Sequence, residues 1–173
     1  MDWKKYVLAI LSSVPICKVV AETCASNYSI GLSDGSFSER GLIATTFLGA
    51  YHTPNWARLH QPRAWSPVVL NDQSIEQYVQ LTFLSGQFLV SKVAMQGSPV
   101  FDWWVTKFRI SLSNDGESFL TSTEEYEGNY DGTSVVTVTL QNVPPSNYFR
   151  IMPTSWNNYI ALRLELYGCY EFN

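Results

Sequence analysis

The residues that could perform catalysis are few in this chain of 173 residues. His52 and His60 are its only histidines, and no Gly-x-Ser-x-Gly nucleophile motif, histidine-rich metal spacing or glycine-rich phosphate loop accompanies them. The acidic run at residues 124–127 precedes a Gly-Asn pair, which is typical of a solvated loop rather than of two paired catalytic carboxylates. The sequence therefore predicts a protein that is not an enzyme.

Apolar and polar residues alternate with a period of two along most of the chain, which predicts β-strands rather than helices. The alternation is clearest at residues 79–83, 108–112, 136–140 and 160–166. Asp-Gly or Pro-Pro pairs, which favour turns, stand at residues 34–35, 115–116, 131–132 and 144–145. Many short strands with such turns predict an all-β sandwich or jelly roll rather than an α/β enzyme.

The first 21 residues have the pattern of a signal peptide. Lys4 and Lys5 precede a short apolar stretch at residues 6–16, and Val19 and Ala21 offer medium and small side chains before a cleavage site. We expect residues 1–21 to be removed and the remainder to be secreted; the alternative is an N-terminal helix packed on the domain. The apolar stretch is too short to span a bilayer, which requires about 20 apolar residues.

Removal of residues 1–21 would leave two of the three cysteines, Cys24 and Cys169. An even number of cysteines suits an oxidising, extracellular compartment. A disulfide between these two would close nearly the whole mature chain and, in the loop-entropy model, would stabilise it by about 4 to 5 kcal/mol. Asn27 begins an Asn-Tyr-Ser triplet, which predicts an N-glycosylation site and fits secretion.

The mature chain is predicted to be acidic. The net charge of the whole chain at pH 7 is -4, and the signal segment carries three lysines and one aspartate, so its removal would lower the net charge to -6. An acidic domain is a poor candidate for nonspecific binding to nucleic acid. About 150 residues suffice for a single domain with a core of its own.

Between Cys24 and Cys169, a series of short stretches matches a known family, and the stretches occur in the same order as in that family. The matching stretches include Ser-Asn-Asp-Gly at residues 113–116 and Ile-Ala-Leu-Arg-Leu-Glu-Leu-Tyr-Gly-Cys at residues 160–169. The others are residues 31–36, 42–47, 57–59, 64–67, 78–81, 93–97, 104–108, 149–153 and 156. Together they resemble the discoidin domain, the type found as the C domains of coagulation factors five and eight.

The resemblance implies that residues 22–173 form a distorted eight-stranded jelly-roll β-sandwich, similar to galactose-binding domains. A disulfide between Cys24 and Cys169 would join the termini at one end, and the ligand loops would lie at the other. Tyr78 stands where the family usually has Trp, and Thr82 where it usually has Asp. Because both positions lie in a strand, we expect these two changes to affect packing rather than ligand chemistry.

Hairpin spikes set the choice of ligand in this family, and two of them have informative sequences here. They are residues 47–54, the first spike, and residues 97–104, the third spike. We expect a pocket open to solvent. Flat apolar faces would come from Tyr51, Phe101 and Trp103. Directional hydrogen bonds would come from His52, Asp72 and Asp102.

Trp103 and Asp72 carry the most specific part of this site prediction. By the resemblance, Trp103 matches a pocket wall of relatives that recognise peptide ends, and Asp72 lies near their acidic pocket residue. Strand alternation would place the neighbouring Trp104 in the core and Trp103 on the opposite side, facing the ligand.

Three kinds of ligand fit the spikes. We prefer a carbohydrate or glycoconjugate of a cell surface or matrix, bound in adhesion or recognition as by a lectin. The first alternative is an anionic phospholipid membrane, into which Leu48, Val100 and Phe101 at the spike tips would insert. The second alternative is a protein or peptide. Nothing in the sequence indicates the oligomeric state.

Charge bears on the membrane alternative. Each Lys or Arg near an anionic surface contributes about 1 kcal/mol of attraction, so an acidic domain is at a disadvantage there. A local basic cluster would offset this disadvantage, and its candidates are Arg40, Arg63, Lys92 and Lys107.

Other matched positions are expected to be architectural. The guanidinium groups of Arg58, Arg150 and Arg163 would bind backbone carbonyls or carboxylates. The indoles of Trp65 and Trp156 would fill the core. Glu165 lies two residues after Arg163, hence on the same face of a strand, and is a candidate ion-pair partner. No cofactor is expected, and one structural calcium ion bound mainly by backbone carbonyls is an open alternative.

Overall fold

The computed structural model describes residues 28–68 and 76–171. The expected signal peptide at residues 1–21, Cys24, Asn27 and Asp72 lie outside this part of the chain. The predictions made on them therefore stay predictions. Within the described residues, no helix is both long and apolar enough to cross a membrane.

The described residues form two antiparallel sheets. Their strands are β1 (Leu42–Ala44), β2 (Val79–Thr82), β3 (Gln87–Gln96), β4 (Trp104–Ser113), β5 (Leu120–Thr121), β6 (Tyr126–Glu127), β7 (Val136–Thr139), β8 (Tyr148–Asn157) and β9 (Arg163–Glu171). Three short 3-10 helices of the described residues span Glu39–Gly41, Ala50–His52 and Pro54–Ala57. One sheet has the order β1-β2-β8-β4-β5, with β6 also paired to β4, and the other has the order β7-β3-β9. The predicted all-β sandwich is confirmed, and the two-residue strands β5 and β6 raise the strand number among these residues above the expected eight.

The core lies between the two sheets, where the alternating apolar residues of the strands meet. Phe149 and Ile151 of β8 and Val105 and Phe108 of β4 are fully buried. Two register shifts in the pairing of β4 with β8 interrupt the alternation between residues 105 and 108, which explains the three-residue step between the buried residues of β4. Trp65 is fully buried, as predicted.

Two other tryptophans lie outside the core, contrary to the prediction. Trp104 is half-buried and Trp156 is exposed. Val105 is fully buried, and because consecutive residues of a strand point to opposite faces, a buried Val105 leaves Trp104 on the other face. Trp156 belongs to the part of β8 beyond the register shifts, at residues 154–157, where the side chains are exposed or half-buried.

The predicted binding of backbone carbonyls by arginine is confirmed for Arg58 and wrong for Arg150. Arg58 is buried and donates from Nη1 to the Leu32 carbonyl (3.2 Å) and from Nη2 to the Phe37 carbonyl (2.9 Å). Arg150 donates instead to the side-chain oxygen of Gln80 (2.8 Å). Because a guanidinium is planar and permanently charged, each of these contacts ties two distant segments together in a fixed geometry.

Glu165 does not pair with Arg163, contrary to the prediction. Its fully buried carboxylate accepts hydrogen bonds from the N–H groups of Leu32 (3.2 Å), Ser33 (2.8 Å) and Leu166 (3.0 Å), and from the Ser33 hydroxyl (2.8 Å). Arg163 donates to backbone carbonyls of three other segments. The two side chains share a strand, but each satisfies its charge with a different part of the chain.

The Asp-Gly turns are built as the sequence predicts. The Asp115 carboxylate accepts two backbone N–H bonds at 2.9 Å and one from the Ser113 hydroxyl at 2.8 Å. These bonds stabilise the ionised form and lower the pKa of Asp115 to about 2. Gly116 follows with φ of +79°, a conformation that favours glycine.

Candidate functional site

The first spike follows β1 and is a compact turn held by backbone contacts. Gly49 has φ of +72°, and its carbonyl accepts the N–H of His52 at 3.1 Å. The Leu48 N–H donates to the Ser66 carbonyl (2.9 Å), and the Ser66 N–H donates to the His52 carbonyl (3.4 Å). His52 Nδ1 lies 3.2 Å from the Ala64 carbonyl oxygen. The position of this spike therefore does not depend on the exposed side chains at its tip.

The third spike joins β3 to β4 and closes on a buried serine. The Ser98 hydroxyl accepts the N–H groups of Val100 (3.2 Å) and Phe101 (3.1 Å). The Ser98 N–H donates to the Trp103 carbonyl, and the Trp103 N–H donates to the Phe101 carbonyl, both at 2.8 Å. This tight loop leaves the side chains of Val100 and Phe101 exposed.

The two spikes meet in four rings, those of His52, Phe101, Trp103 and Tyr159, which we call the aromatic cluster. The ring centroid of Trp103 lies 4.3 Å from that of Phe101 in a stacked arrangement, 5.0 Å from Tyr159 and 6.2 Å from His52. Tyr159 lies between β8 and β9, and its hydroxyl donates to the Pro67 carbonyl (3.0 Å). Because ring contacts at these distances are attractive, the cluster fixes three loops with respect to one another.

Asp102, between Phe101 and Trp103 in the chain, connects the third spike to the end of β8. The backbone carbonyl of Asp102 accepts hydrogen bonds from the side-chain amides of Asn157 (2.7 Å) and Asn158 (2.9 Å). Asp102 itself is exposed. The third spike is thereby tied to the turn between β8 and β9 through the residue that stands between Phe101 and Trp103 in the chain.

The spike tips expose apolar side chains. Val100 is 61% exposed and Tyr51 is 63% exposed, and the others are Phe47, Leu48 and Phe101. The guanidinium carbon of Arg63 lies 4.2 Å from the ring centroid of Tyr51. Exposed apolar side chains grouped on neighbouring loops are typical of a binding surface.

Seven of the eight predicted ligand-binding residues belong to the described part of the chain, and the eighth, Asp72, does not. The structure brings three of them together, since Trp103 contacts both His52 and Phe101. The other four are exposed on the same two spikes: Leu48, Tyr51, Val100 and Asp102. Trp103 itself is half-buried among three rings, so Phe101 and Tyr51 present the more open ring faces.

Four residues at this end were not predicted: Phe47, Asn157, Asn158 and Tyr159. The Asn-Asn pair between two alternating runs is a turn signal that the sequence displays. Its contact with the third spike depends on β4 lying beside β8, and local periodicity does not reveal that neighbour.

Two of the four candidate basic residues, Lys92 and Lys107, lie on different sheets. Lys107 forms ion pairs with Glu127 (3.4 Å) and Glu125 (3.6 Å), and these carboxylates, Glu127 first, raise the pKa of Lys107. Lys92 lies in β3, which belongs to the other sheet. Arg63 lies over the ring of Tyr51 on the first spike.

A separate depression of about 410 Å³ lies on the flank of the first spike. Its lining residues are Gly35, Glu39, Asn55, Trp56, Arg58 and Gln61. The indole nitrogen of Trp56 donates to the Ala50 carbonyl (3.2 Å), which joins this wall to the spike.

The acidic side chains of the described residues do not form a metal centre. No group of three or more His, Cys, Asp or Glu side chains in residues 28–68 and 76–171 is placed to hold an ion. Asp34 and Asp131, like Asp115, use their carboxylates to accept backbone N–H bonds within their own turns.

The chain matches the F5/8 type C domain family over residues 42–166, well over half of its length, and it belongs to this family. Domains of this family are binding modules and are generally non-catalytic. Neurexin-4 of Drosophila melanogaster is 30% identical to the chain over 168 residues, covering 94% of this chain and 13% of that protein. The chain thus spans only a small part of this curated relative.

Solved structures confirm the discoidin-like and galactose-binding-like fold. Discoidin II from Dictyostelium discoideum superposes with a TM-score of 0.71 at 23% identity, covering 83% of this chain and 58% of that chain. The family 32 CBM from C. perfringens NanJ in complex with galactose superposes with a TM-score of 0.58 at 18% identity, covering 73% and 91%. At these identities the likeness concerns the fold alone.

Proposed function

We propose that this chain is a secreted binding module that recognises carbohydrate of a cell-surface or matrix glycoconjugate through the first and third spikes. The observation that carries the proposal is the aromatic cluster, in which Trp103 contacts rings from the first spike, the third spike and the β8–β9 turn. Rings that are fixed before binding lose little conformational freedom when a ligand arrives.

The chemistry around the cluster suits a sugar. A sugar ring has apolar C–H faces and hydroxyl edges, so it requires a flat apolar surface beside groups that form directional hydrogen bonds. Phe101 supplies an exposed ring, the next residue, Asp102, is exposed and carries a carboxylate, and the amides of Asn157 and Asn158 bind the Asp102 carbonyl. The galactose named for the NanJ module makes galactose-terminated glycans the first probes to try.

The test is a glycan array probed with the full chain after secretion from eukaryotic cells. The variants are Phe101→Ala and Asp102→Ala, because both side chains are exposed and their removal should leave the fold intact. Leu84→Ala is the matched control, since Leu84 is an exposed apolar residue between β2 and β3, away from the spikes.

A saccharide bound by the wild type and by Leu84→Ala, and lost in both spike variants, supports the proposal. A saccharide bound equally by all four proteins would contradict the location of the site. No saccharide bound at all would contradict the proposed function.

Peripheral membrane binding is a second candidate, and the exposed apolar tips favour it. Full burial of Leu48, Val100 and Phe101 would contribute roughly 1.5 to 3 kcal/mol each. The acidic net charge and the absence of a basic cluster among the described spike residues oppose it. Binding to phosphatidylserine vesicles that Asp102→Ala retains and Leu48→Ser with Val100→Ser loses would favour the membrane over the sugar.

A further inference from the structure

A buried arginine connects three loops at the spike end. Arg163, at the start of β9, is 4% exposed. Its Nε donates to the Gly97 carbonyl (2.8 Å), its Nη1 to the Gln61 carbonyl (2.8 Å) and its Nη2 to the Gly132 carbonyl (3.0 Å). Gly97 lies at the root of the third spike, Gln61 in the segment after the first spike, and Gly132 in the loop between β6 and β7.

A buried glutamine next to the third spike joins the same segments. The Gln96 side-chain oxygen accepts the His60 N–H (3.0 Å), and its amide nitrogen donates to the Thr133 carbonyl (2.7 Å). Gln96 is 7% exposed. Two polar side chains, neither of them at the surface, therefore hold one loop arrangement.

The loop at residues 128–134, between β6 and β7, supports the third spike directly. A Cβ added to Gly132 would collide with the Ser98 carbonyl oxygen and would lie 3.5 Å from that of Phe101. Asn129 is buried and donates to the Met95 carbonyl (3.1 Å) at the end of β3. The loop and the spike are thus in close backbone contact, and the loop also carries the exposed ring of Tyr130.

We propose that Arg163 and Gln96 are positioning residues for ligand binding. They fix the third spike and loop 128–134 with respect to the segment that follows the first spike, so that ligand affinity depends on two buried side chains that the ligand does not touch. This inference rests on the proposed function for the location of the site.

The physical reason is preorganisation. A binding surface made of loops loses affinity when the loops must be ordered at the moment of binding. The planar guanidinium reaches three carbonyls in fixed directions, which the single ammonium of lysine does not reproduce. Removal of either side chain also leaves buried backbone groups without partners, and these groups move towards water if the loop can open.

The test compares Arg163→Lys and Gln96→Met with wild type by amide hydrogen exchange and by affinity. Exchange is followed in peptides that cover residues 97–103 and 128–134, where the amides of Ser98, Trp103 and Asn129 are hydrogen-bonded. Affinity is measured for surfaces coated with galactose-terminated glycan. Ser113→Ala is the control, because it removes two hydrogen bonds of a buried residue at the opposite end of β4, about 30 Å away.

We expect both variants to exchange at least tenfold faster in these two loops, with no change in the core strands, and to bind glycan at least tenfold more weakly. Ser113→Ala should stay within twofold of wild type in both measurements. Unchanged exchange in the loops would overturn the proposal, and so would faster exchange with unchanged affinity.

Failure of the proposed function is distinguishable from failure of this inference. If the wild type binds no glycan but binds phosphatidylserine vesicles, the affinity comparison is made on vesicles. If it binds neither, the carbohydrate proposal fails, and the exchange measurement alone decides whether Arg163 and Gln96 hold the loops.

Discussion

Replacing Trp103 by alanine removes the centre of the aromatic cluster. Complete burial of a tryptophan typically makes its truncation cost about 3 to 5 kcal/mol. Trp103 is half-buried, so we expect a loss of about 2 kcal/mol of unfolding free energy, or roughly 4 to 8 °C in Tm for a domain of this size. Phe101 would lose its stacked neighbour at 4.3 Å, and Tyr159 its neighbour at 5.0 Å.

The effect on ligand binding follows from those lost contacts. Each aromatic pair contributes about 0.5 to 1.5 kcal/mol beyond area burial, so the loss of two pairs, about 1 to 3 kcal/mol, should weaken glycan binding by about fivefold to 150-fold. Binding is measured on the best saccharide of the array, and stability by thermal unfolding.

The adjacent tryptophan provides a matched control. Trp104 has the same side chain, is also half-buried and has no ring contact in the aromatic cluster. Trp104→Ala should lower Tm to a similar extent and leave glycan affinity within twofold of wild type. The reasoning is refuted if both variants lose affinity equally, or if Trp103→Ala binds as the wild type does.

Three further predictions concern stability. Asp115→Asn should flatten the dependence of Tm on pH between about 4 and 2. Hydrogen bonds lower the pKa of Asp115 in the folded protein from its ordinary 3.8 to about 2. The stability that its ionised carboxylate contributes is therefore present above pH 4 and is lost as the pH falls towards 2. An equal slope in the variant would contradict this assignment. Arg58→Met should cost at least about 2 kcal/mol in urea unfolding, because two carbonyls lose a buried, charged donor; a loss below 0.5 kcal/mol would rule out its bracing role. Reduction of the predicted Cys24–Cys169 disulfide should lower the unfolding free energy by about 4 to 5 kcal/mol, and two alkylatable thiols in the oxidised, unfolded protein would show that the bridge is absent.

Strands and turns could be predicted from the sequence because both arise from local chemistry. Alternation at residues 79–83 and 160–166 reports which side of a strand is buried, and an aspartate before glycine reports a turn that its own carboxylate closes. The register of one strand against another is not local. Neither strand sequence reveals the two register shifts between β4 and β8. Trp104 and Trp156, whose burial was predicted wrongly, lie beyond these shifts, outside the regularly paired parts of their strands.

The candidate site divides in the same way. Tyr51, Phe101 and Trp103 could be selected because they lie in the stretches that match the ligand-binding spikes of the family that the sequence resembles. Tyr159 could not, because its contact with Trp103 requires that the turn after β8 lie beside the start of β4. Sequence thus identifies the members of each loop, whereas the sheet order decides which loops form one surface.

The base and the tips of the spikes follow different chemical rules. Arg58 and Arg163 donate to backbone carbonyls of the loops. A backbone carbonyl is present whichever residue type occupies the accepting position. Most side chains in the loops can therefore vary without loss of the bracing contacts. Gly97 and Gly132 are exceptions, because an added Cβ at either position would collide with neighbouring backbone or Cβ atoms. Tip residues such as Val100 and Phe101 are exposed and contribute little to the core, so substitutions there should alter the ligand more than the fold.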